Sequence, residues 1–148
     1  MKPITEVNVE PITFEAGPLT EVHLKEFREA TSTEFTPGFP PTYATVFRKA
    51  EFDFLDRFKV DMRLLLHVDQ EYIYLVALRI GDTLNITTSV GEIRERRGMH
   101  FVTLHTDFVC KGEAKIRSNT TFVVRDPRSA GRSETLRSSG LRMARVAP

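Results

Sequence analysis

Residues 101–125 read FVTLHTDFVCKGEAKIRSNTTFVVR, and apolar and polar side chains alternate on both sides of Lys111-Gly112. A period of two residues is that of a β-strand with one buried face. Glycine supplies the positive φ that a tight hairpin turn requires. The segment therefore predicts two antiparallel strands, Phe101–Cys110 and Glu113–Arg125. The side chains expected to face inward are Val102, Leu104, Thr106, Phe108 and Cys110 in the first strand, and Ala114, Ile116, Ser118, Thr120, Phe122 and Val124 in the second.

The same alternation predicts two further strands upstream, His67–Val76 and Thr83–Arg96. In the second of these the phase of the alternation slips at Gly91, as it does at a β-bulge. Arg97-Gly98 occupies the position of another tight turn. The second half of the chain is thus expected to be an antiparallel meander.

A helix with one broad apolar face is predicted just before the strands. Its apolar side chains recur at spacings of three and four residues, with Thr42 as the expected N-cap. They are Tyr43, Val46, Phe47, Ala50, Phe54 and Phe58. One long apolar helix followed by a meander buries most surface when the sheet wraps around the helix. The predicted fold is therefore α+β, a hotdog architecture with a curved antiparallel sheet around a long central helix.

The N-terminal part is expected to supply an edge strand and a short helix. Val7, Val9, Ile12 and Phe14 suggest a strand that Pro11 restricts to an edge. Thr20 can cap a helix that carries Leu24, Phe27 and Thr31. Residues 1–126 are interpreted as one domain, and the Arg/Ser-rich residues 127–148 as a flexible tail.

Composition excludes several classes of function. The 148 residues have a formal net charge of +1, from 21 basic and 20 acidic side chains, so no chain-wide attraction to nucleic acid or to anionic lipid is expected. Cys110 is the single cysteine, so no internal disulfide and no metal site are expected. No membrane span or leader segment is evident, and a cytoplasmic location is expected.

Three segments, in the same order, resemble the MaoC-like dehydratase family, in particular its N-terminal-domain type. They are residues 65–84 (LLHVDQEYIYLVALRIGDTL), residues 38–43 (GFPPTY) and residues 95–98 (ERRG). The resemblance covers about residues 14 to 125. Ala77 stands where the family usually has proline. Gly81-Asp82 is interpreted as a structural turn, with the aspartate bonding turn amides.

The resemblance implies a protein that binds acyl thioesters, as CoA or carrier-protein esters, and needs no cofactor. Active members hydrate 2-enoyl thioesters with an aspartate and a histidine that precede the central helix. Residues 31–42 contain neither, and Glu34 is their only ionisable side chain. The chain is therefore interpreted as the non-catalytic half of a (3R)-hydroxyacyl-CoA dehydratase or enoyl-CoA hydratase, paired as a homodimer or heteromer with a second MaoC-like subunit.

Candidate site residues follow from the same resemblance. Thr42, Tyr43, Phe47, His67 and Gln70 are the expected substrate-binding residues. No residue is assigned as catalytic, and Glu34 and His67 are the candidates for such a role. A solvated loop carboxylate and a strand-end histidine bonded to a backbone carbonyl are the alternative interpretations of these two.

Two alternative functions remain open. The chain can be a non-enzymatic acyl-CoA-binding or regulatory hotdog protein. It can also be a hotdog thioesterase, in which Glu51 on the central helix promotes hydrolysis. Against the thioesterase, Glu51 lies among Arg48, Lys49 and Arg57, which is typical of the solvated polar face of a helix.

Overall fold

The computed structural model describes residues 9–35 and 37–125. The tail 127–148 and Val7 lie outside the described residues. The strands are β1 (Ile12–Ala16), β2 (Leu65–Tyr74), β3 (Leu84–Arg96), β4 (Met99–Cys110) and β5 (Glu113–Arg125). The helices are α1 (Glu21–Thr31), α2 (Lys49–Arg57) and two 3₁₀ helices, Pro41–Phe47 and Met62–Leu64.

The five strands form one antiparallel sheet in the order β1-β3-β4-β5-β2. The predicted bounds of β5 are confirmed, and those of β2, β3 and β4 differ by one or two residues at individual ends. The register shift between Val90 and Ile93 confirms the bulge at Gly91. Both residues of each predicted hairpin turn have positive φ, as type I′ turns require. β1 follows Pro11 directly and lies at a sheet edge, as expected.

The prediction of one long helix capped by Thr42 is wrong. The segment forms a 3₁₀ helix, breaks at Arg48 (φ −93°, ψ 10°), and continues as the nine-residue α2. Pro40 occupies the N-cap position of the 3₁₀ helix and makes no side-chain cap. β-branched residues weaken α-helix formation, and the Thr45 hydroxyl donates to the Thr42 carbonyl at 2.7 Å. These local preferences favour a tighter first turn over a continuous α-helix.

The concave face of the sheet encloses both helical pieces, which confirms the α+β hotdog architecture. Two apolar clusters fill the space between sheet and helices. The first contains Leu19, Tyr43, Ala44, Phe47, Leu78, Leu84, Ile86, Phe108, Cys110 and Ile116. The second contains Phe54, Leu55, Phe58, Val102, Leu104 and Phe122. The 3₁₀ helix thus packs on the first cluster and α2 on the second.

The reversal between β2 and β3 is fixed by a buried lysine. Lys115 Nζ lies 3.6 Å from an Asp82 carboxylate oxygen and 3.4 Å from the Ala77 carbonyl oxygen. The Arg79 amide also donates to the Asp82 carboxylate, at 2.8 Å. Gly81 has a φ of 91°. The structural interpretation of Gly81-Asp82 is therefore confirmed.

Helix α1 begins where the sequence places it. The Thr20 hydroxyl accepts from the His23 amide at 3.2 Å, and Leu24 is buried. Among the described residues, no helix combines the length and the apolar character needed to cross a membrane.

Candidate functional site

A row of hydroxyl side chains separates the two apolar clusters on the concave face of the sheet. Thr88, Thr106 and Ser118 are paired in register across β3, β4 and β5, and Thr120 lies in the next inward position of β5. All four are buried, and the Thr88 and Thr106 hydroxyl oxygens are 2.8 Å apart. We call these four residues the polar belt. Strand alternation predicted that Thr106, Ser118 and Thr120 point inward.

Glu51 extends from α2 to the polar belt. Its side chain is only 3% exposed, so the expectation that it lies on a solvated helix face is wrong. The Thr120 hydroxyl donates to Oε1 at 2.8 Å, and Arg48 Nε donates to Oε2 at 2.7 Å. On α2, Glu51 shares a face with the buried Phe54 and Leu55, three and four residues on.

Gln70 joins the polar belt from strand β2. Its Nε2 donates to the Ser118 hydroxyl at 2.7 Å, and its Oε1 lies 2.9 Å from the Thr120 hydroxyl. A hydroxyl has a single proton, so Thr120 donates either to Gln70 or to Glu51 at one time. A half-turn of the Gln70 amide lets its nitrogen donate to Thr120 and its oxygen accept from Ser118, which satisfies all three neighbours at once.

Arg48 and Tyr72 complete the cluster, and each holds a buried donor atom without a partner in the described residues. These atoms are Nη2 of Arg48 and the hydroxyl of Tyr72. The Arg48 guanidinium lies over two rings, 5.5 Å from the Phe52 centroid and 5.8 Å from the Phe122 centroid. A buried donor without a partner costs about 1–3 kcal/mol. Such atoms are rare in native structures.

The environment of Tyr72 keeps its hydroxyl protonated. Burial, and then the nearby Glu51 carboxylate, raise the pKa of Tyr72 from 10.0 to about 12, although Arg48 opposes the shift. The hydroxyl is therefore a hydrogen-bond donor throughout the physiological pH range.

The predicted substrate-binding residues occupy two different environments. Tyr43 and Phe47 are buried in a ladder of aromatic rings in edge contact, with centroids 5.6 Å apart. The ladder continues to Phe27, Phe39 and Phe108. Thr42 is exposed beside it. These aromatic side chains pack against each other as a core and leave Thr42 at the surface.

His67 and Gln70 both lie on β2, at the edge of the polar belt. The His67 ring is 5.2 Å from the Phe122 ring, and its Nε2 lies 3.1 Å from the Asp69 carbonyl oxygen. This contact agrees with the alternative interpretation of His67, as a strand-end histidine bonded to a backbone carbonyl. Only Gln70 of this pair bonds to the polar belt.

Glu34 lies in a separate groove of about 410 Å³ along α1. Its neighbours there include Lys25, Arg28 and Ile80, and His67 is not among the lining residues. The two candidates for a catalytic role are therefore not brought together. Glu34 is exposed in this groove.

A second groove, of about 270 Å³, separates the loop 37–41 from the residues 74–78 that follow β2. Phe39 and Tyr74 both line it, and Leu78 forms part of its wall and of the first cluster. Residues 38–41 of the GFPPTY segment thus form one side of the groove, and Phe39 there also belongs to the aromatic ladder.

Sequence reasoning missed Arg48 and Tyr72 as site residues. The alternation of β5 predicted that Ser118 and Thr120 face inward. This was the signal in the sequence for a buried polar cluster. The break at Arg48, which turns its side chain toward Glu51, has no comparable signal in the sequence. Among residues 9–35 and 37–125, no group of three or more His, Cys, Asp or Glu side chains is placed to hold a metal ion.

The strand order and the enclosed helix define a hotdog-fold domain. Residues 21–117 match the family model described as FAS1-like, dehydratase domain region. The chain therefore belongs to this family, a MaoC-like hotdog dehydratase region, which confirms the resemblance. No curated protein sequence gives a significant match.

Solved structures with the same fold share little sequence with this chain. HtdX of Mycobacterium tuberculosis is 16% identical with a TM-score of 0.68, over 80% of this chain and 52% of its own. This chain therefore spans about half of that protein. A chain of the ChsH1-ChsH2 complex from the same organism is 14% identical with a TM-score of 0.63, over 80% and 84% of the two chains. A chain of its HadBC complex, a 3R-hydroxyacyl-ACP dehydratase, is 19% identical with a TM-score of 0.58, over 80% and 98%.

Proposed function

We propose that this chain is an acyl-thioester-binding subunit of a (3R)-hydroxyacyl-thioester dehydratase or enoyl-thioester hydratase. A partner hotdog subunit supplies the catalytic aspartate and histidine. The observation that carries the proposal is the family match across residues 21–117, together with a groove formed by the GFPPTY segment. CoA or carrier-protein esters are the proposed ligands, and no cofactor is required.

The described residues give no support to catalysis by the chain alone. Hydration of an enoyl thioester needs a general base for water and an acid for the α-carbon, held in one site. Glu34 and His67 lie in different places, and His67 faces a backbone carbonyl. His67, the histidine on β2, lines neither of the two grooves. It is therefore not placed to act together with an acid in the groove between the 37–41 loop and the end of β2.

Strand β2 supports the proposed pairing with a second subunit. It is an edge strand, and Leu66, Val68 and Ile73 on it are exposed. An exposed apolar edge is a template for another strand, and a hotdog partner can extend the sheet there. The HadBC and ChsH1-ChsH2 structures are complexes of two named chains, which is consistent with a heteromeric partner.

The decisive experiment is an assay of enoyl-CoA hydration by the purified chain, alone and with a hotdog subunit that carries the Asp/His pair. We expect negligible turnover by the chain alone, and turnover by the pair that exceeds turnover by the partner alone. Robust turnover by the chain alone contradicts the non-catalytic assignment. Acyl-CoA binding without turnover in any combination favours the stand-alone binding protein instead.

The thioesterase alternative makes a different prediction in the same assay. Both Glu51 oxygens accept bonds from protein donors, so this carboxylate is poorly placed to activate a water molecule. We expect no release of free CoA. CoA release that disappears in Glu51→Gln, with the fold retained, favours the thioesterase.

A further inference from the structure

Strand β2, the last strand in the sheet order, carries two exposed acidic side chains, Asp69 and Glu71. Both lie on the outer face of the sheet, opposite the neutral Thr121 and Asn119 of β5. Asn119 Nδ2 donates to Glu71 Oε2 at 2.8 Å, which orients this carboxylate without neutralising it. Among the described residues, no ion pair includes Asp69 or Glu71. The edge strand therefore presents two negative charges that no described ion pair offsets.

The surroundings of these acids on β2 are apolar and contain no lysine or arginine. The strand reads LLHVDQEYIY, and its histidine, His67, packs on the Phe122 ring on the inner face. On β5, Arg117 lies opposite Ile73, and its Nε is 3.5 Å from an Asp107 carboxylate oxygen. Two exposed apolar side chains stand on either side of the acids, Leu66 and Ile73. A strand that pairs with β2 thus meets an acidic centre with apolar ends.

Pairing of β2 with β2 of a second copy would bring these charges together. A twofold dimer pairs the strand antiparallel to itself, so each contact occurs twice. Opposite residues of an antiparallel pair lie on the same face, so the outer row meets the outer row. The register of greatest overlap that satisfies this condition sets Gln70 opposite Gln70, and Asp69 opposite Glu71 of the second copy. A slip of two residues either way sets Asp69 opposite Asp69, or Glu71 opposite Glu71.

Like charges directly opposite on neighbouring strands destabilise the pair. The same pairing buries part of Leu66 and Ile73, which excludes water and lowers the effective dielectric constant around the acids, so the repulsion grows. Lysine or arginine side chains opposite Asp69 and Glu71 convert the repulsion into attraction and leave the apolar contacts unchanged. The edge therefore discriminates against a second copy of the chain and in favour of a basic strand.

We infer that β2 pairs with a different hotdog subunit, whose edge strand presents lysine or arginine side chains opposite Asp69 and Glu71. The inference rests on the proposed function and deepens it, since it decides between a homodimer and a heteromer and names the chemistry of the partner's edge. The two acids act as specificity determinants of assembly, and the exposed apolar side chains beside them supply contact area.

The test mixes wild type with the charge-reversed chain Asp69→Lys/Glu71→Lys and measures association by sedimentation velocity. At an ionic strength of about 0.01 M, where screening is weak, the mixed pair should have a Kd at least about tenfold lower than either protein alone. Glu15→Lys/Glu26→Lys is the matched control. It makes the same change in net charge at exposed positions on β1 and α1, and its mixture with wild type should show no such gain.

A neutral variant tests the same repulsion without adding lysines to the edge. Asp69→Asn/Glu71→Gln keeps the size of both side chains, and the glutamine oxygen can still accept from Asn119. Without the like charges, this variant should self-associate at least about tenfold more tightly than wild type at low salt. Raising the ionic strength to about 1 M should bring wild type closer to the neutral variant, because salt screens the repulsion.

A mixed pair no tighter than the wild-type homodimer overturns the inference, as does a neutral variant that self-associates no better than wild type. Either result leaves the proposed function standing, because the hydration assay with a subunit that carries the Asp/His pair tests that function separately. A chain that binds no acyl-CoA and adds nothing to its partner's turnover overturns the proposed function. The association measurements then still decide which strand β2 accepts.

Discussion

Glu51 places a buried charge beside the polar belt. Its carboxylate is held by Arg48 and Thr120, and loss of the carboxylate leaves the Arg48 guanidinium without its counter-charge. Removing one partner of a buried ion pair typically costs about 3–5 kcal/mol. Arg48 is partly exposed, so water offsets some of this cost and the lower end of the range applies.

We therefore expect Glu51→Ala to lower the free energy of unfolding by about 3 kcal/mol in a urea titration. Asp53→Ala is the matched control, since it removes a carboxylate two residues away that pairs with Lys49 at the surface. Such an exposed pair is worth less than about 1 kcal/mol. If Glu51→Ala and Asp53→Ala lower the free energy of unfolding by similar amounts, the result contradicts a buried ion pair between Arg48 and Glu51.

Tyr72 provides a second prediction at this scale, in the alkaline range. The unfolded chain releases the tyrosine proton near pH 10, whereas the folded chain retains it until about pH 12. In that window the unfolded state binds fewer protons, so the free energy of unfolding falls as the pH rises. Below pH 10 this contribution is fully retained.

Urea unfolding of wild type and Tyr72→Phe at about pH 9 and about pH 11 measures this effect directly. Wild type is expected to lose more stability between the two conditions than Tyr72→Phe. Burial also raises the pKa values of Tyr43 and Tyr74, and both residues are present in the two proteins compared. An equal loss in the two proteins contradicts the buried environment of the Tyr72 hydroxyl.

At the scale of elements, the backbone of the turn before β3 packs closely against the segment that leads into α1. Gly17 has a φ of 124°, and a Cβ placed there would lie 2.7 Å from the Asp82 carbonyl oxygen and 2.9 Å from Thr83 Cα. Both neighbours are backbone atoms, so neither can move aside cheaply. The Leu19 amide also donates to the Asp82 carbonyl at 2.8 Å.

Gly17→Ala should therefore lower the free energy of unfolding by more than about 2 kcal/mol, from backbone strain and the clash together. Gly112→Ala is the control, because its φ is also positive but no atom lies within 4 Å of the added Cβ. It should cost only about 1 kcal/mol of backbone strain. Chemical denaturation of both variants compares the two costs, and a loss no larger at Gly17 than at Gly112 argues against the close approach to Asp82.

The elements differ in how far the sequence predicts them. Strands β3 to β5 follow from alternation and turn residues, because a period of two leaves no ambiguity about the buried face. The helical segment was wrongly predicted as one long α-helix, because its apolar spacing of three and four residues is compatible with both a 3₁₀ and an α-helix. The break at Arg48 depends on local preferences of Pro41, Thr42 and Thr45 that spacing does not describe. The burial of Glu51 was not predicted either, so the site could be predicted only in part.

At the scale of the whole molecule, the unpaired edge of β2 determines how the domain can assemble. Ile73 is 40% exposed on this edge, and a lysine at an exposed edge position discourages strand pairing. We expect Ile73→Lys to weaken whichever hotdog pair the chain forms, as seen by native mass spectrometry. Val22→Lys, on the exposed side of α1, should leave the assembly unchanged. An unaltered mass distribution for Ile73→Lys contradicts pairing through β2.

The central claim is that this hotdog domain binds the acyl group of a thioester. The most direct measurement is a calorimetric titration of the assembled protein with (3R)-3-hydroxydecanoyl-CoA, compared with the same titration with free CoA. We predict saturable binding of the ester that is at least about tenfold tighter than binding of free CoA, because the acyl chain buries apolar surface in the protein. Equal binding of ester and free CoA, or no binding of either, would contradict the account.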